Sequence, residues 1–244
     1  MDFRRRETGD YMAKQETALI VGAGRGLSAS LARLFAKEGM RVALAARDTD
    51  KLAGLTKETS ASAYCCDASE ADDVAALFEA VTGDLGEPNI VVYNPSYRAR
   101  GPVIELDPAE VQKVLMISCF GGFLVGQQAA KQMAARGSGT ILFTGASASV
   151  KGYPNSSSFA MGKFGLRGLV QSMARELQPK GVHVAHFVID GGILQGPDDT
   201  RGAERGEDGM LLPDAIAETY LNIHRQHRSA WTWEVELRPW VESF

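Results

Sequence analysis

The sequence TALIVGAGRGL, residues Thr17 to Leu27, joins a short apolar run to three closely spaced glycines. An apolar, partly β-branched run before a glycine-rich turn predicts a buried strand. Beyond the turn, apolar residues recur at helical spacing as far as Gly39, so a helix is expected to begin where the glycines stop. A helix start carries unpaired backbone N–H groups, and glycine lets an anion approach them closely. The stretch therefore predicts a phosphate-binding strand, turn and helix.

The glycine spacing differs from the dinucleotide fingerprint G-x-G-x-x-G, which requires its third glycine where this chain has Leu27. The residues instead fit G-x-x-x-G from Gly22 to Gly26, with the small residue Ser28 two positions later. A glycine-rich turn by itself also occurs as plain structure. Its position between a strand and a helix favours a nucleotide-binding site.

Length and charge limit the classes of protein. The chain has 244 residues, of which 45% are hydrophobic, which suits one α/β domain. The net charge of −4 argues against a nucleic-acid partner, because such proteins concentrate Lys and Arg on one face. No apolar segment approaches the roughly 20 residues of a membrane helix, so no membrane partner is expected.

Residues 1–16 are expected to form a flexible tail ahead of a single domain that covers residues 17–244. The tail contains a basic run at 4–6, but no apolar segment follows, so it does not indicate a targeting signal. Met1 and Met12 are both candidate start residues. The three cysteines are odd in number and lack metal or redox spacing, which predicts a reducing, cytoplasmic location.

Along the chain, expected strands alternate with expected helices. The strands are predicted near residues 18–21, 41–46, 61–66, 89–93, 139–144, 182–189 and 232–237. The main helices are predicted near residues 27–39, 48–58, 72–82, 108–136, 159–177 and 213–224. This alternation predicts a Rossmann-type α/β fold, a doubly wound parallel sheet of about seven strands with helices on both faces. Ligands bind such a sheet at the carboxyl ends of its strands.

The end of the second predicted strand indicates which dinucleotide binds. Enzymes that prefer NAD usually carry an acidic side chain there for the ribose 2′-hydroxyl, whereas this chain has Arg47. Arg25 in the glycine turn adds a second guanidinium, and arginine binds phosphate bidentately. The pair predicts NADP(H) in preference to NAD(H). In the alternative, Arg47 pairs only with Asp48 or Asp50 and solvates the strand end.

Four motifs then resemble a known family. They are VGAGRGLS at 21–28, Asp67 after the third strand, YNPS at 93–96 and DG at 190–191. With them the chain resembles the short-chain dehydrogenase/reductase family from about residue 18 to 237. The resemblance implies an NADP(H)-dependent oxidoreductase acting on a carbonyl or alcohol group of a small molecule, assembled as a homodimer or homotetramer. With the two arginines, it implies cofactor contacts from Gly22, Gly24, Arg25, Gly26, Leu27, Arg47, Asp67, Ala68, Asn94, Lys163, Gly191 and Ile193.

The catalytic positions of that family are mostly replaced in this chain. The tyrosine of the family's Y-x-x-x-K pair corresponds to Phe159, while the lysine is retained as Lys163. The serine position is Ala146, with Ser147 adjacent, and the asparagine of the preceding helix corresponds to Ser118. Phe159 has no proton to give, and loss of a positioned general acid typically costs about 10²–10⁴ in rate.

Three repairs of the site are conceivable. Tyr153 or Tyr97 supplies the proton, Ser147 replaces the missing serine hydroxyl, or Lys163 delivers a proton directly or through water. The candidate catalytic residues are therefore Lys163, Ser118, Ser147 and Tyr153. Tyr153 alternatively forms part of the pocket wall. The same replacements leave open a non-catalytic NADP(H)-binding sensor or scaffold.

The polar residues 194–212 follow the sixth predicted strand and are expected to form a lid over the substrate, or else a linker without function. Three tryptophans between residues 231 and 240 suggest an interface or a core. His183 and His186 should face opposite sides of their strand and do not resemble metal ligands, so no metal site is expected.

Overall fold

The computed structural model describes residues 15–196 and 198–242. The predicted tail as far as residue 14, including its basic run and both candidate start methionines, lies outside the described residues, as do Pro197 and residues 243–244. The Glu16 carbonyl accepts a hydrogen bond from the Arg41 N–H, and the Glu16 carboxylate contacts His224. The chain is therefore attached to the sheet from Glu16 onward.

Seven parallel strands form the main sheet, and two short strands form a separate pair. The strands are β1 Thr17–Val21, β2 Arg41–Ala46, β3 Ser62–Cys65, β4 Ile90–Tyr93, β5 Gly139–Thr144, β6 Val182–Ile189, β7 Gly192–Ile193, β8 Met210–Leu211 and β9 Glu234–Leu237. The order across the main sheet is β3-β2-β1-β4-β5-β6-β9, and β7 pairs with β8. The chain reverses its direction of winding between β1 and β4, which opens the crevice at which such sheets bind ligands.

Helices cover both faces of the sheet. They are α1 Leu27–Lys37, α2 Ala53–Thr59, α3 Ala71–Leu85, α4 Pro108–Leu115, α5 Gly121–Arg136, α6 Ser157–Leu177, α7 Arg201–Arg205 and α8 Pro213–His224. One apolar core lies between the sheet and α1, α2 and α8, and a second lies between the sheet and α3, α5 and α6. The predicted doubly wound parallel sheet is confirmed.

Strand β1 shows why the parallel sheet could be predicted from the sequence. Ala18 and Ile20 point into one core, while Leu19 and Val21 point into the other, and each of the four is at most 1% exposed. A parallel strand buried on both faces needs an apolar residue at every position, so its sequence is a continuous apolar run.

The helical region 108–136 is interrupted where a continuous helix was predicted. A single π-helical turn, Met116–Phe120, separates α4 from α5. The Tyr93 hydroxyl donates a hydrogen bond to the carbonyl of Ile117 within this turn. At the following residue, Gly121, a Cβ would lie only 2.5 Å from both the Ala68 carbonyl oxygen and the Tyr93 hydroxyl. Such turns are often found at functional sites, and this one carries Ser118.

The same region, Pro108–Arg136, is long and apolar enough to cross a membrane by length and composition alone. The expectation that no segment reaches this length and apolar character is therefore wrong, because scattered polar residues interrupt the apolar ones. Its buried face includes Leu124, Val125, Ala129 and Met133, which belong to the core shared with α3 and α6. A buried core helix meets the same criterion as a membrane span.

The segment predicted as a loop between residues 194 and 212 contains regular structure. Its ends are joined by the β7–β8 pair, where the Leu194 N–H also donates to the Leu211 carbonyl. Leu211 is buried in the core, and α7 lies between the two strands along the chain. Both ends of the segment are therefore fixed to the body of the protein.

Replacement of Gly121 by alanine is expected to destabilise the protein by about 1–3 kcal/mol, because overpacking against Ala68 and Tyr93 outweighs the better helix propensity of alanine. Gly168→Ala in α6 is the matched control, since a Cβ there meets no described atom within 4 Å. That control should stabilise by about 0.5–1 kcal/mol. Urea unfolding measures both changes, and a stabilising effect of Gly121→Ala would contradict the packing described for the π turn.

Candidate active site

A cleft of about 890 Å³ opens at the carboxyl ends of β1, β2, β3 and β4. Seven of the predicted cofactor residues line it, namely Gly22, Gly24, Arg25, Arg47, Asp67, Ala68 and Asn94. Residues that sequence reasoning did not identify line it as well, among them Lys51, Ser69, Ile117 and Gln195. The cleft lies at the crevice where the strand order reverses, as the sheet topology requires.

Hydrogen bonds and close packing fix the glycine turn at the cleft wall. Gly22 has φ of 81°, and a Cβ there would lie 2.6 Å from the backbone nitrogen of Pro95. Ser28 Oγ donates to the Gly22 carbonyl at 3.0 Å, and Asn94 Nδ2 donates to Ser28 Oγ at 2.7 Å. Asn94 thus connects the end of β4 to the turn. At Gly24 a Cβ would meet no described atom within 4 Å, so the turn leaves open space on the cleft side.

The other predicted cofactor residues are not among those that line the cleft: four lie at the turn or in the segment that follows β6, and Lys163 lies in α6. Leu27 is buried at the start of α1, Gly191 follows β6, and Ile193 lies in β7. A Cβ at Gly26 would lie 3.0 Å from the side-chain amide of Gln195. The loop after β6 therefore lies directly against the glycine turn and forms the opposite wall of the cleft.

Asp67 is held as an ionised carboxylate at the edge of the cleft. Its Oδ1 accepts hydrogen bonds from the Ser69 hydroxyl at 2.6 Å and the Ser69 N–H at 3.0 Å. Partial burial alone would raise the pKa of Asp67, but the two hydrogen bonds and the charge of Arg47 outweigh it and lower the pKa. A fixed acceptor therefore faces the cleft beside Ala68.

Arg25 and Arg47 are exposed, and neither forms an ion pair with any residue that the structure describes. Asp48 pairs with Lys51 at 2.7 Å. Arg47 is therefore not neutralised by Asp48 or Asp50, the pairing considered as the alternative to phosphate binding. Two guanidinium groups remain available to an anion in the cleft.

The two residues that sequence analysis placed at the family's serine and tyrosine positions belong to one apolar cluster. Ala146, Ala148 and Phe159 are buried against one another. Lys163 lies one helical turn beyond Phe159 in α6, with its Nζ 5.9 Å from the centroid of the Phe159 ring. Ser147 lies between the two alanines in a short 3₁₀ turn, Ser147–Ser149. Packing within the site therefore couples the two replaced positions.

Lys163 is 2% exposed, and its Nζ donates a hydrogen bond to the Thr144 carbonyl at 2.8 Å. Burial lowers the pKa of Lys163 to about 7, and the positive charge of Arg98 acts in the same direction while Cys119 opposes it. No carboxylate within the described ranges pairs with the ammonium. Near neutral pH both protonation states are populated, which suits a proton donor or acceptor.

Of the other candidate catalytic residues, Ser118 lies near Lys163 and Tyr153 lies at the surface. Ser118 Oγ is 3.4 Å from both the N–H and the carbonyl oxygen of Tyr97, and a Cβ at Gly162 would lie 3.0 Å from Ser118 Cβ. The Tyr97 hydroxyl donates to Glu110. Tyr153 is 42% exposed, and its hydroxyl makes no hydrogen bond to a described residue.

Arg98 is a site residue that sequence reasoning missed. Its Cζ lies 4.1 Å from the centroid of the Phe159 ring, in a cation–π contact. The available signal was the pair of arginines, Arg98 and Arg100, a few residues beyond a strand end that borders the predicted site.

The two histidines of β6 have protein partners. His183 stacks on Trp231 with ring centroids 4.7 Å apart, and His186 Nδ1 lies 3.1 Å from a carboxylate oxygen of Glu234. Across residues 15–196 and 198–242, no group of three or more His, Cys, Asp and Glu side chains is arranged to hold a metal ion.

A glycine-lined cleft at the switch point of a doubly wound sheet defines a dinucleotide-binding protein. Residues 16–195 match the family model described as short chain dehydrogenase. Cis-4-hydroxycyclohexanecarboxylate dehydrogenase of Sinomonas cyclohexanicum is 31% identical over 216 residues, which cover 84% of this chain and 87% of that protein. The chain belongs to the short-chain dehydrogenase/reductase family.

Solved structures agree with this assignment. A short-chain dehydrogenase from Rhodopseudomonas palustris is 35% identical, with a TM-score of 0.80 over 92% of this chain and 99% of that one. A metagenomic short-chain oxidoreductase in complex with NADP is 27% identical, with a TM-score of 0.79 over 92% of this chain and 97% of that one.

Lys163 is expected to make stability depend on pH. Its pKa in the folded protein is about 7, against about 10.4 in an unfolded chain. Between these values the unfolded state binds more protons, so the free energy of unfolding should rise from pH 7 to pH 9, on the order of 2 kcal/mol from this residue.

Lys163→Met keeps a side chain of similar length that does not titrate. Its free energy of unfolding should therefore lack the increase that Lys163 contributes between pH 7 and pH 9. Urea unfolding of both proteins at pH 7 and pH 9, without coenzyme, isolates the contribution of Lys163. The same pH dependence in both proteins would show that the lysine keeps an ordinary pKa.

Proposed function

We propose that the chain is an NADP(H)-dependent oxidoreductase that interconverts a carbonyl and an alcohol group of an unidentified small molecule. The observation that carries the proposal is the buried Lys163 ammonium, which lies beside Phe159 and pairs with no described carboxylate. Relatives that act as dehydrogenases and as a 3-oxoacyl-[acyl-carrier-protein] reductase support this reaction class.

The residues of the cleft fit NADP(H). The open space at Gly24 and the N-terminus of α1 suit a diphosphate, and the unpaired guanidinium groups of Arg25 and Arg47 suit a ribose 2′-phosphate. A related oxidoreductase that binds NADP supports the same preference. When bound, the coenzyme would donate or accept a hydride.

Each predicted cofactor residue is proposed to contact one part of the coenzyme. The diphosphate is assigned to Gly22, Gly24, Arg25, Gly26, Leu27 and Asn94. The adenosine end is assigned to Arg47, Asp67 and Ala68. The nicotinamide end is assigned to Lys163, Gly191 and Ile193.

Lys163 is proposed to replace the missing phenol as the proton donor. Reduction of a carbonyl adds a hydride to carbon and leaves an alkoxide oxygen that needs a proton. Because its pKa is about 7, the Lys163 ammonium is a stronger acid than an exposed lysine and can protonate that oxygen from Nζ. The resulting amine then takes a proton from water. Ser118 and Ser147 are proposed to hold the water or the substrate oxygen, whereas Tyr153 would have to move inward to take part.

A second function, NADP(H) binding without turnover, is favoured by one specific observation. The cluster of Ala146, Ala148 and Phe159 presents no hydroxyl where the family has two. A protein of this kind would use the coenzyme as a signal or as a structural ligand.

Assembly and location are part of the same proposal. Four large apolar side chains on the π turn, α5 and α6 are 39–52% exposed, which supports pairing of this face in a homodimer or homotetramer: Phe120, Phe123, Met161 and Phe164. The three free cysteines support a reducing, cytoplasmic location. Residues 194–212, held at both ends beside the cleft, are proposed as the substrate lid.

NADPH oxidation with a panel of small ketones and aldehydes tests the reaction. The natural chain should turn over, and Lys163→Ala should lose about 10²–10⁴ of kcat because the proton donor is gone. Lys131→Ala, an exposed lysine of α5, is the control and should keep full activity. An inactive natural chain that gains activity through Phe159→Tyr with Ala146→Ser would establish the non-catalytic alternative.

Coenzyme titration followed by fluorescence tests the preference for NADP(H). Arg47→Gln should weaken NADPH binding about 10- to 100-fold and leave NADH binding unchanged, because only NADPH carries the 2′-phosphate. Lys37→Gln, exposed at the end of α1, is the control. Tighter binding of NADH than NADPH by the natural chain would refute the preference.

A further inference from the structure

Positive charge collects beside Phe159 without a compensating carboxylate. Lys163 lies within 6 Å of the ring, and Arg98 stacks on the ring at 4.1 Å. Arg100 is near enough for its charge to act on Arg98. In the part of the chain that the structure describes, none of these three cations forms an ion pair.

Neighbouring cations at the same end of the sheet do have carboxylate partners. Lys151 lies 3.4 Å from Asp190, and Arg201 lies 2.6 Å from Asp199. The chain therefore supplies counter-charges next to the site while leaving the charges around Phe159 unbalanced. An unbalanced cation that is partly removed from water is costly unless a ligand compensates it.

The backbone that carries Arg98 is anchored before any ligand arrives. Ser158 Oγ donates to the Ala99 carbonyl at 2.6 Å, and the Gly101 N–H donates to the Asn155 carbonyl at 3.1 Å. Both anchors belong to the start of α6 or the residues just before it, so they hold Arg98 in register with Phe159. Such pre-ordering reduces the entropy that binding would otherwise cost.

The N–H groups of the Arg98 guanidinium are free to bind a ligand. Its Cζ lies over the Phe159 ring in a cation–π contact, and none of its N–H groups donates a hydrogen bond to a residue that the structure describes. The planar edge of an arginine matches the two oxygens of a carboxylate. Phenylalanine suits this role because its ring offers a face to the cation and no hydroxyl at its edge.

We propose that Arg98, with Arg100 beside it, binds a carboxylate of the substrate, so that the natural substrate is an anionic carbonyl or alcohol compound. This inference rests on the proposed oxidoreductase function and names the substrate class of that site. The carboxylate sits at Arg98, while the reacting oxygen lies toward Lys163.

Calorimetric binding of benzoate and of benzamide to the protein saturated with NADP⁺ tests the anion site without turnover. The natural chain should bind benzoate about 10- to 100-fold more tightly than benzamide, the strength of a charge-assisted contact. Arg98→Gln should remove this difference, and Arg98→Lys should keep only part of it because it retains charge without the planar edge. Arg175→Gln, an exposed arginine farther along α6, should behave as the natural chain.

Equal binding of benzoate and benzamide, no measurable benzoate binding, or an unchanged preference in Arg98→Gln would each overturn the proposal. Unfolding temperatures of the variants check that the fold is intact, which is expected because the Arg98 side chain is exposed.

Turnover separates this inference from the proposed reaction. With 4-acetylbenzoate and its methyl ester as ketones, the natural chain should favour the acid in kcat/KM, and Arg98→Gln should bring that ratio close to one. If Arg98 determines benzoate binding but neither ketone is reduced, the anion site stands and the oxidoreductase proposal fails. If both ketones are reduced equally well with or without Arg98, the oxidoreductase stands and the anion site fails.

Discussion

The burial of the Lys163 ammonium is the constraint on which the rest of the site depends. One hydrogen bond to the Thr144 carbonyl replaces the water that an exposed lysine would keep, and no described carboxylate compensates the charge. Such an arrangement destabilises the charged form and brings the pKa near neutrality. Perturbed groups of this kind concentrate at functional sites, which supports the proposed role of Lys163 as the proton donor.

The two halves of the candidate site differ in character. The half proposed to hold the dinucleotide has the glycine turn, the Asn94 connection to it and the ordered Asp67. In the other half, Ala146 and Phe159 belong to one buried apolar cluster together with Ala148. Arg98 lies over the Phe159 ring. The polar groups beside this ring are therefore cations and not hydroxyls.

The sheet and the residues that line the cleft were predictable because short stretches of sequence determine them. Buried strands such as β1 are apolar at every position, and strand ends that share one edge of a sheet bring Gly22 and Asp67 to one cleft. The stacking of Arg98 on Phe159 and the approach of Gln195 to Gly26 depend on contacts between distant segments. The π turn likewise depends on Tyr93 reaching Ile117, which no periodicity reveals.

The most direct test of this account is a ¹³C NMR titration of the Lys163 side chain, with its signal assigned by its loss in Lys163→Met. The account predicts a midpoint near pH 7 in the free protein, because burial and the charge of Arg98 disfavour the ammonium form. A midpoint near that of an exposed lysine, about 10.4, in the free protein would contradict it.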